Sequence, residues 1–164
     1  MQVICSDTNI WIDFQSLNRI DWPFLLDYTY IMSKPALDDE VLSPIGQASR
    51  LLEMGLVAVD PSDDELELYM TLASKYRKLS VYDALALTIA KSRSIILLTG
   101  DKALRNAAEA EHVVVRGLLW ITDQLCNEQQ ITREEHRSCM QEILDGIRVT
   151  YRYPKHEIEN RLNR

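Results

Sequence analysis

Asp7, Glu40, Asp83 and Asp101 are spaced so that a fold of alternating strands and helices would gather them on one edge. Asp7 directly follows the apolar run Met1–Ser6, and Asp101 directly follows Ser94–Gly100. In an open parallel sheet the carboxyl ends of the strands line the functional crevice. Carboxylates crowded there repel one another, and a hard divalent cation relieves that repulsion. The chemistry such a cluster supports is metal-assisted phosphodiester hydrolysis. Mg²⁺ keeps several waters and takes few protein ligands, so three or four carboxylates suffice.

Each acid also has a bland alternative. Asp7 and Asp101 stand where helix N-caps belong. Asp83 suits the positive end of a helix dipole. Glu40 could be solvated, with Asp38 or Asp39 in its place. Taken singly the four acids say little, so their order and context carry the argument.

The elements that must position them follow from the apolar pattern. Strands are expected at Val3–Ser6, Tyr28–Met32, Leu56–Val59, Ile95–Leu98 and Val113–Val115. The near-continuous apolar run Ile95–Leu98 marks a strand covered on both faces. Helices are expected after Asp7, briefly at Leu25–Leu26, from Pro35 with Glu40 in its first turns, and over Ser43–Met54. Ser62 with Glu65, and Thr132 with Glu135, have capping-box spacing, and Ser80 stands three residues before Asp83. Further helices are expected from Pro61 and from Ser80, and over Asp101–Glu111, Leu118–Leu125, Thr132–Leu144 and Pro154–Leu162. Strands alternating with helices call for a parallel sheet with right-handed crossovers. The expected architecture is an α/β domain around a central, mostly parallel sheet, with further helices toward the C-terminus.

The 164 residues suit one domain with one adequate core, and 46% hydrophobic with 26% charged residues is ordinary for a globular chain. No apolar stretch approaches the roughly 20 residues of a membrane span. The N-terminus shows no basic region followed by an apolar run, so no secretory signal is expected. Cys5, Cys126 and Cys139 are widely spaced and suggest neither a zinc site nor a disulfide framework, consistent with a cytoplasmic setting. The net charge of −7 argues against tight, nonspecific duplex binding. It is unevenly spread: residues 148–164 carry +3, leaving −10 on the rest.

The ordered set of motifs resembles the PIN-domain family. Ile4-Cys5-Ser6-Asp7-Thr8-Asn9 is similar to its opening motif, and Ser80-Val81-Tyr82-Asp83-Ala84-Leu85-Ala86 to its central acidic helix start. Leu97-Leu98-Thr99-Gly100-Asp101-Lys102-Ala103-Leu104 resembles its later strand-end motif, and Glu40 takes the place of its intermediate acid. Val114-Val115-Arg116-Gly117-Leu118-Leu119-Trp120 resembles a strand-and-glycine segment of one bacterial and archaeal subgroup. The resemblance implies a Mg²⁺- or Mn²⁺-dependent endoribonuclease with Asp7, Asp83 and Asp101 on the metal, and Glu40 completing the set. It implies Asn9 and Thr99 as supporting polar residues. Many bacterial members are toxins of toxin–antitoxin pairs, often homodimers, so RNA and an antitoxin are the implied partners. The resemblance spans about residues 3–125 and implies a three-layer α/β/α nuclease domain over residues 1–125, with a helical extension over 126–164 packed on it that is longer than in minimal toxins of this kind.

Other residues carry weaker expectations. Lys102 and Arg105 follow Asp101 where they could face a phosphate, against the default of solvated charge. Trp11, Trp22 and Trp120 read as core or interface residues, with base stacking by Trp11 as the alternative. His112, His136 and His156 form no cluster in the sequence. Five glycines are too few for a phosphate-cradling loop. The rival to a nuclease is a catalytically silent PIN-like module that binds RNA or protein.

Overall fold

The computed structural model describes residues 1–41, 44–146 and 153–164. Ser43, expected in a helix, and Arg148 and Arg152 of the basic tail lie outside them. Five strands form one sheet in the order β3-β2-β1-β4-β5, every pairing parallel. They are β1 (Gln2–Ser6), β2 (Tyr28–Ser33), β3 (Val57–Val59), β4 (Ile96–Leu98) and β5 (Val115–Arg116). The chain moves outward from β1 to β2 and β3, then crosses back to place β4 on the other side of β1. That reversal makes the gap between β1 and β4 a topological switch point, the usual place for a site in an open α/β sheet.

Alternation along each strand divides the core between the two faces. Ile4, Tyr30, Met32 and Leu98 face one side, and Cys5, Ile31 and Leu97 the other. The first face is covered by α1 (Thr8–Ser16), α2 (Lys34–Glu40), α3 (Gln47–Met54) and α7 (Leu118–Asn127). The second is covered by α4 (Asp63–Lys75), α5 (Val81–Ser92) and α6 (Lys102–Ala110). The result is the three-layer α/β/α arrangement. Helix α5 is buried along Ala84–Ala90, and each fully buried Leu or Ile there contributes roughly 1.5–3 kcal/mol. It leads into β4, so its N-terminus, with Asp83, lies at the carboxyl edge of the sheet.

Helices α8 (Arg133–Leu144) and α9 (Lys155–Leu162) join the first face, giving nine α-helices among the described residues. Ile131, Cys139, Met140, Ile143 and Ile158 belong to the same apolar cluster as Ile4 and Trp11. Arg19 holds Glu142 of α8 through two bonds of 2.7 Å. Arg161 of α9 holds Asp123 of α7 through its Nε and Nη2.

Capping chemistry sets many boundaries. The spacings at Ser62/Glu65, Ser80/Asp83 and Thr132/Glu135 each form a complete capping box. Three expected strands begin later than their apolar runs. Leu56 N–H returns to Leu51 O, Ile95 N–H to Ala90 O and Val113 N–H to Ala108 O. The residues before them, Gly55, Ser94 and His112, are left-handed, at φ 115°, 52° and 59°. Each helix therefore closes with a back-reaching bond that takes the first apolar residue of the run out of the sheet ladder. At Leu25–Leu26 the expected helix is a 3-10 turn over Trp22–Leu25.

Candidate metal centre

Asp7 is the pivot. It is the N-cap residue of α1, yet its carboxylate makes no capping hydrogen bond to that helix. Its backbone N–H donates to Leu98 O, which locks the end of β1 against β4. Its Oδ2 accepts from Thr99 Oγ1 at 2.9 Å and from Asn9 Nδ2 at 3.2 Å. Thr99, fully buried, also accepts the Asp101 amide on the same hydroxyl at 3.1 Å. One threonine thus fixes the acids that follow two neighbouring strands.

Glu40 stands in the second turn of α2, and that turn is also the last, because the helix ends at Glu40 instead of running on through Val41. Ser33 caps the helix by accepting from Ala36 N–H, so the helix starts at Lys34 with Pro35 behind it. Seven residues place Glu40 at the far end, where its Oε2 accepts from Thr8 Oγ1 at 2.5 Å. Its neighbours are engaged elsewhere: Asp38 with Lys34, and Asp39 with the Tyr82 hydroxyl at 2.6 Å.

Asp83 and Asp101 both serve helix ends. Asp83 Oδ2 accepts the Ser80 amide at 3.2 Å in the α5 capping box. Asp101 is the N-cap of α6, its Oδ1 accepting from Leu104 N–H at 2.7 Å. A capping role is therefore filled by Asp101 as N-cap and by Asp83 as the third residue of a capping box, and by the Asp7 carboxylate not at all.

The electrostatics bind the set together. Burial pushes the Asp7 carboxyl up, the charges of Asp83 and Glu40 push it further, and Thr99 and the Thr8 amide restrain it, leaving it at about 7. Glu40 is raised by burial and by Asp83 and Asp39, against the Thr8 hydroxyl. Asp83 is raised by burial and by Asp101, against its bonds with Ser80. Asp7 feels Asp83 and Glu40, Glu40 feels Asp83, and Asp83 feels Asp101, so the four acids share one electrostatic neighbourhood. Near neutral pH such a cluster takes up a proton or a cation.

Among the described residues, no group of three or more His, Cys, Asp or Glu side chains stands in an arrangement that could hold a metal ion as it is. The carboxylates are turned instead to Thr99, Asn9, Thr8, Ser80 and Leu104. The donor set nevertheless fits a hard divalent cation: it is all-oxygen, anionic and mutually repelling.

The sequence model of the PIN-domain family matches residues 3–164. The chain belongs to the PIN-domain family. None of the curated proteins matches it. The match takes in α8 and α9 as well as the sheet.

Within this PIN domain, Trp11 is not placed to stack a base. It is 1% exposed, stacked on Phe24 at 5.2 Å, edge-on to Tyr30 at 5.4 Å, and bonded through Nε1 to Ser6 Oγ at 3.0 Å. Lys102 is exposed, whereas Arg105 is half-buried with its Nη1 against the backbone of Gly117. Sequence reasoning missed the Thr8–Glu40 bond, which joins residues 32 positions apart and has no local pattern. It also missed His136, 8% exposed, whose Nε2 meets Asp123 at 3.1 Å. Cys5 is an apolar strand residue, its thiol pushed up to about 12 mainly by burial.

Proposed function

We propose that this PIN domain is a divalent-metal-dependent endoribonuclease. The observation that carries the reading is Asp7. It is 3% exposed and held by two donors, and burial together with the charges of Asp83 and Glu40 raises its carboxyl to about 7. A buried carboxyl raised by burial and by like charges, at a topological switch point, is the pattern of a functional site. On this reading Asp7, Asp83 and Asp101 hold Mg²⁺ or Mn²⁺, and Glu40 completes the set or orients the attacking water. Asn9 and Thr99 fix the Asp7 carboxylate, and Lys102 and Arg105 receive phosphate oxygens. When bound, the cation would supply the charge that polarises the phosphodiester and eases loss of a proton from water. Glu40, carboxyl raised and hydroxyl-bonded, is suited to take that proton.

The reading extends, from the family resemblance, to a cytoplasmic toxin held by an antitoxin and acting as a homodimer. Residues 126–164 then form a helical extension on the nuclease unit of residues 1–125. Among the described residues, no helix is long and apolar enough to cross a membrane.

One observation favours a second reading, a silent module that binds RNA or protein: Asp101 and Asp83 already serve as helix-end acceptors. Cleavage of a mixed tRNA and rRNA pool separates the two. Wild type in Mn²⁺ is expected to cut, and wild type in EDTA or an Asp7→Asn/Asp101→Asn variant in Mn²⁺ is not. Cleavage that ignores both EDTA and the substitutions overturns the proposal.

A further inference from the structure

The carboxyl edge of the sheet changes sign from one side to the other. Beyond β3 and β2 it carries the exposed acids Asp60, Asp63, Asp64, Asp38 and Asp39. Beyond β4 and β5 it carries Lys102, Arg105 and Arg116. The acids at Asp7 and Asp101 stand between the two halves. A polyanion reaching them is repelled on one flank and attracted on the other.

The attractive flank is a groove of about 520 Å³ between α6, the end of β5, α7 and α9. Gly100, Lys102 and Arg105 line it next to Asp101, Arg116 and Trp120 lie further along, and Arg161 stands on α9. Among the described residues, Lys102, Arg105 and Arg116 have no acidic partner within 4.0 Å, whereas Arg19, Lys75, Lys91, Arg93 and Arg161 each have one. Glu109 and Glu157 also line the groove, with Glu157 3.7 Å from Arg161.

One of the cations is held in place without being neutralised, and a second lies close against the backbone. Arg116 lies over Trp120 at 5.9 Å and donates to Val115 O at 2.9 Å, while Trp120 is stacked on Tyr28 at 5.7 Å. Arg105 lies along Gly117, where a Cβ would stand 3.4 Å from its Nη1 and 3.4 Å from Thr99 O. Thr99, whose backbone oxygen faces the same glycine, is the residue that holds Asp7, so Arg105 sits on the side of Gly117 nearest the carboxylate edge. A restrained guanidinium without an acid partner, as at Arg116, is well suited to phosphate recognition.

We propose that this groove carries a single-stranded RNA away from the carboxylate edge, with Lys102, Arg105 and Arg116 on successive phosphates and α9 as one wall. This rests on the endoribonuclease reading for the identity of the strand and adds its path on one side of the carboxylate edge. A single strand fits better than a duplex, because the cations form one stripe and the remaining edge is acidic.

The test is fluorescence anisotropy of a short fluorescein-labelled single-stranded RNA with the full chain in EDTA, so that binding is read without cleavage. Three phosphate contacts on a single strand give a log–log salt slope of about −2, or about 20-fold weaker binding between about 50 and about 200 mM salt. Arg116→Ala and Lys102→Ala are each expected to weaken binding about tenfold and flatten the slope, with Arg116→Lys recovering part of the loss. Arg50→Ala, on α3 outside the groove, is expected to bind as wild type does. Groove variants that bind like wild type overturn the proposal. So does a duplex bound as tightly as the single strand, or an acidic peptide bound where the RNA is not. If the groove variants lose binding but wild type never cleaves RNA in Mn²⁺, the nuclease reading fails and the groove stands.

Discussion

Replacing Asp7 with Asn should make the protein more stable at neutral pH, although Asp7 makes two hydrogen bonds and is buried. The carboxyl is displaced from its ordinary 3.8 to about 7. At about 1.4 kcal/mol per pH unit, holding it ionised above that value costs about 4 kcal/mol. The sign follows from proton uptake. The folded protein holds a proton on Asp7 that the unfolded chain has released, so stability falls as pH rises from about 4 to about 7 and levels off above. Asn keeps the oxygen that accepts from Thr99 and Asn9 and carries no charge for Asp83 and Glu40 to repel. Urea unfolding in EDTA at about pH 5 and about pH 8 measures the difference. Asp7→Asn is expected to gain roughly 2–3 kcal/mol on wild type over that interval, because only about two of its three pH units lie below the raised carboxyl value; the amide that replaces the second oxygen shifts both ends of the interval equally. Parallel stabilities for the two proteins across the interval would refute the argument that Asp7 carries the electrostatic burden of the site.

Thr99→Val removes the donor to Asp7 and the acceptor of the Asp101 amide. It should cost about 1–3 kcal/mol in urea unfolding and move the pH-dependent loss of stability to higher pH, because the Thr99 bond lowers the Asp7 carboxyl. Ser94 closes α5 at φ 52°, so Ser94→Gly should raise stability by up to about 1 kcal/mol, seen as a higher unfolding midpoint with an unchanged slope. Arg161→Ala leaves the Asp123 charge paired only with His136. Amide exchange should quicken selectively over Lys155–Leu162, while unchanged protection there would show that Ile158 alone holds α9.

Much of this architecture could be read from the chain because its causes are local. The capping boxes at Ser62, Ser80 and Thr132 are three-residue patterns whose chemistry does not depend on the rest of the fold. Asp7 and Asp101 are visible as sites because each ends an apolar run. The strand starts were harder to read. Leu56, Ile95 and Val113 are as apolar as their neighbours, and only the returning N–H bond shows that they close a helix. Glu40 was found in the right helix, but that α2 stops at it, with Val41 already out of the helical conformation, was not legible. The order of the strands was not legible. With it were hidden the Thr8–Glu40 bond, the seating of Arg105 on Gly117, and the opposition of an acidic and a basic flank along one edge.

The most direct test of the central claim, that the acids form a divalent-metal centre, is a Mn²⁺ titration followed by the electron paramagnetic resonance of the free ion. Wild type is expected to deplete the free signal, and an Asp7→Asn/Asp83→Asn variant to leave it nearly intact. A wild type that leaves the free signal untouched, or a variant that depletes it equally, would contradict the account.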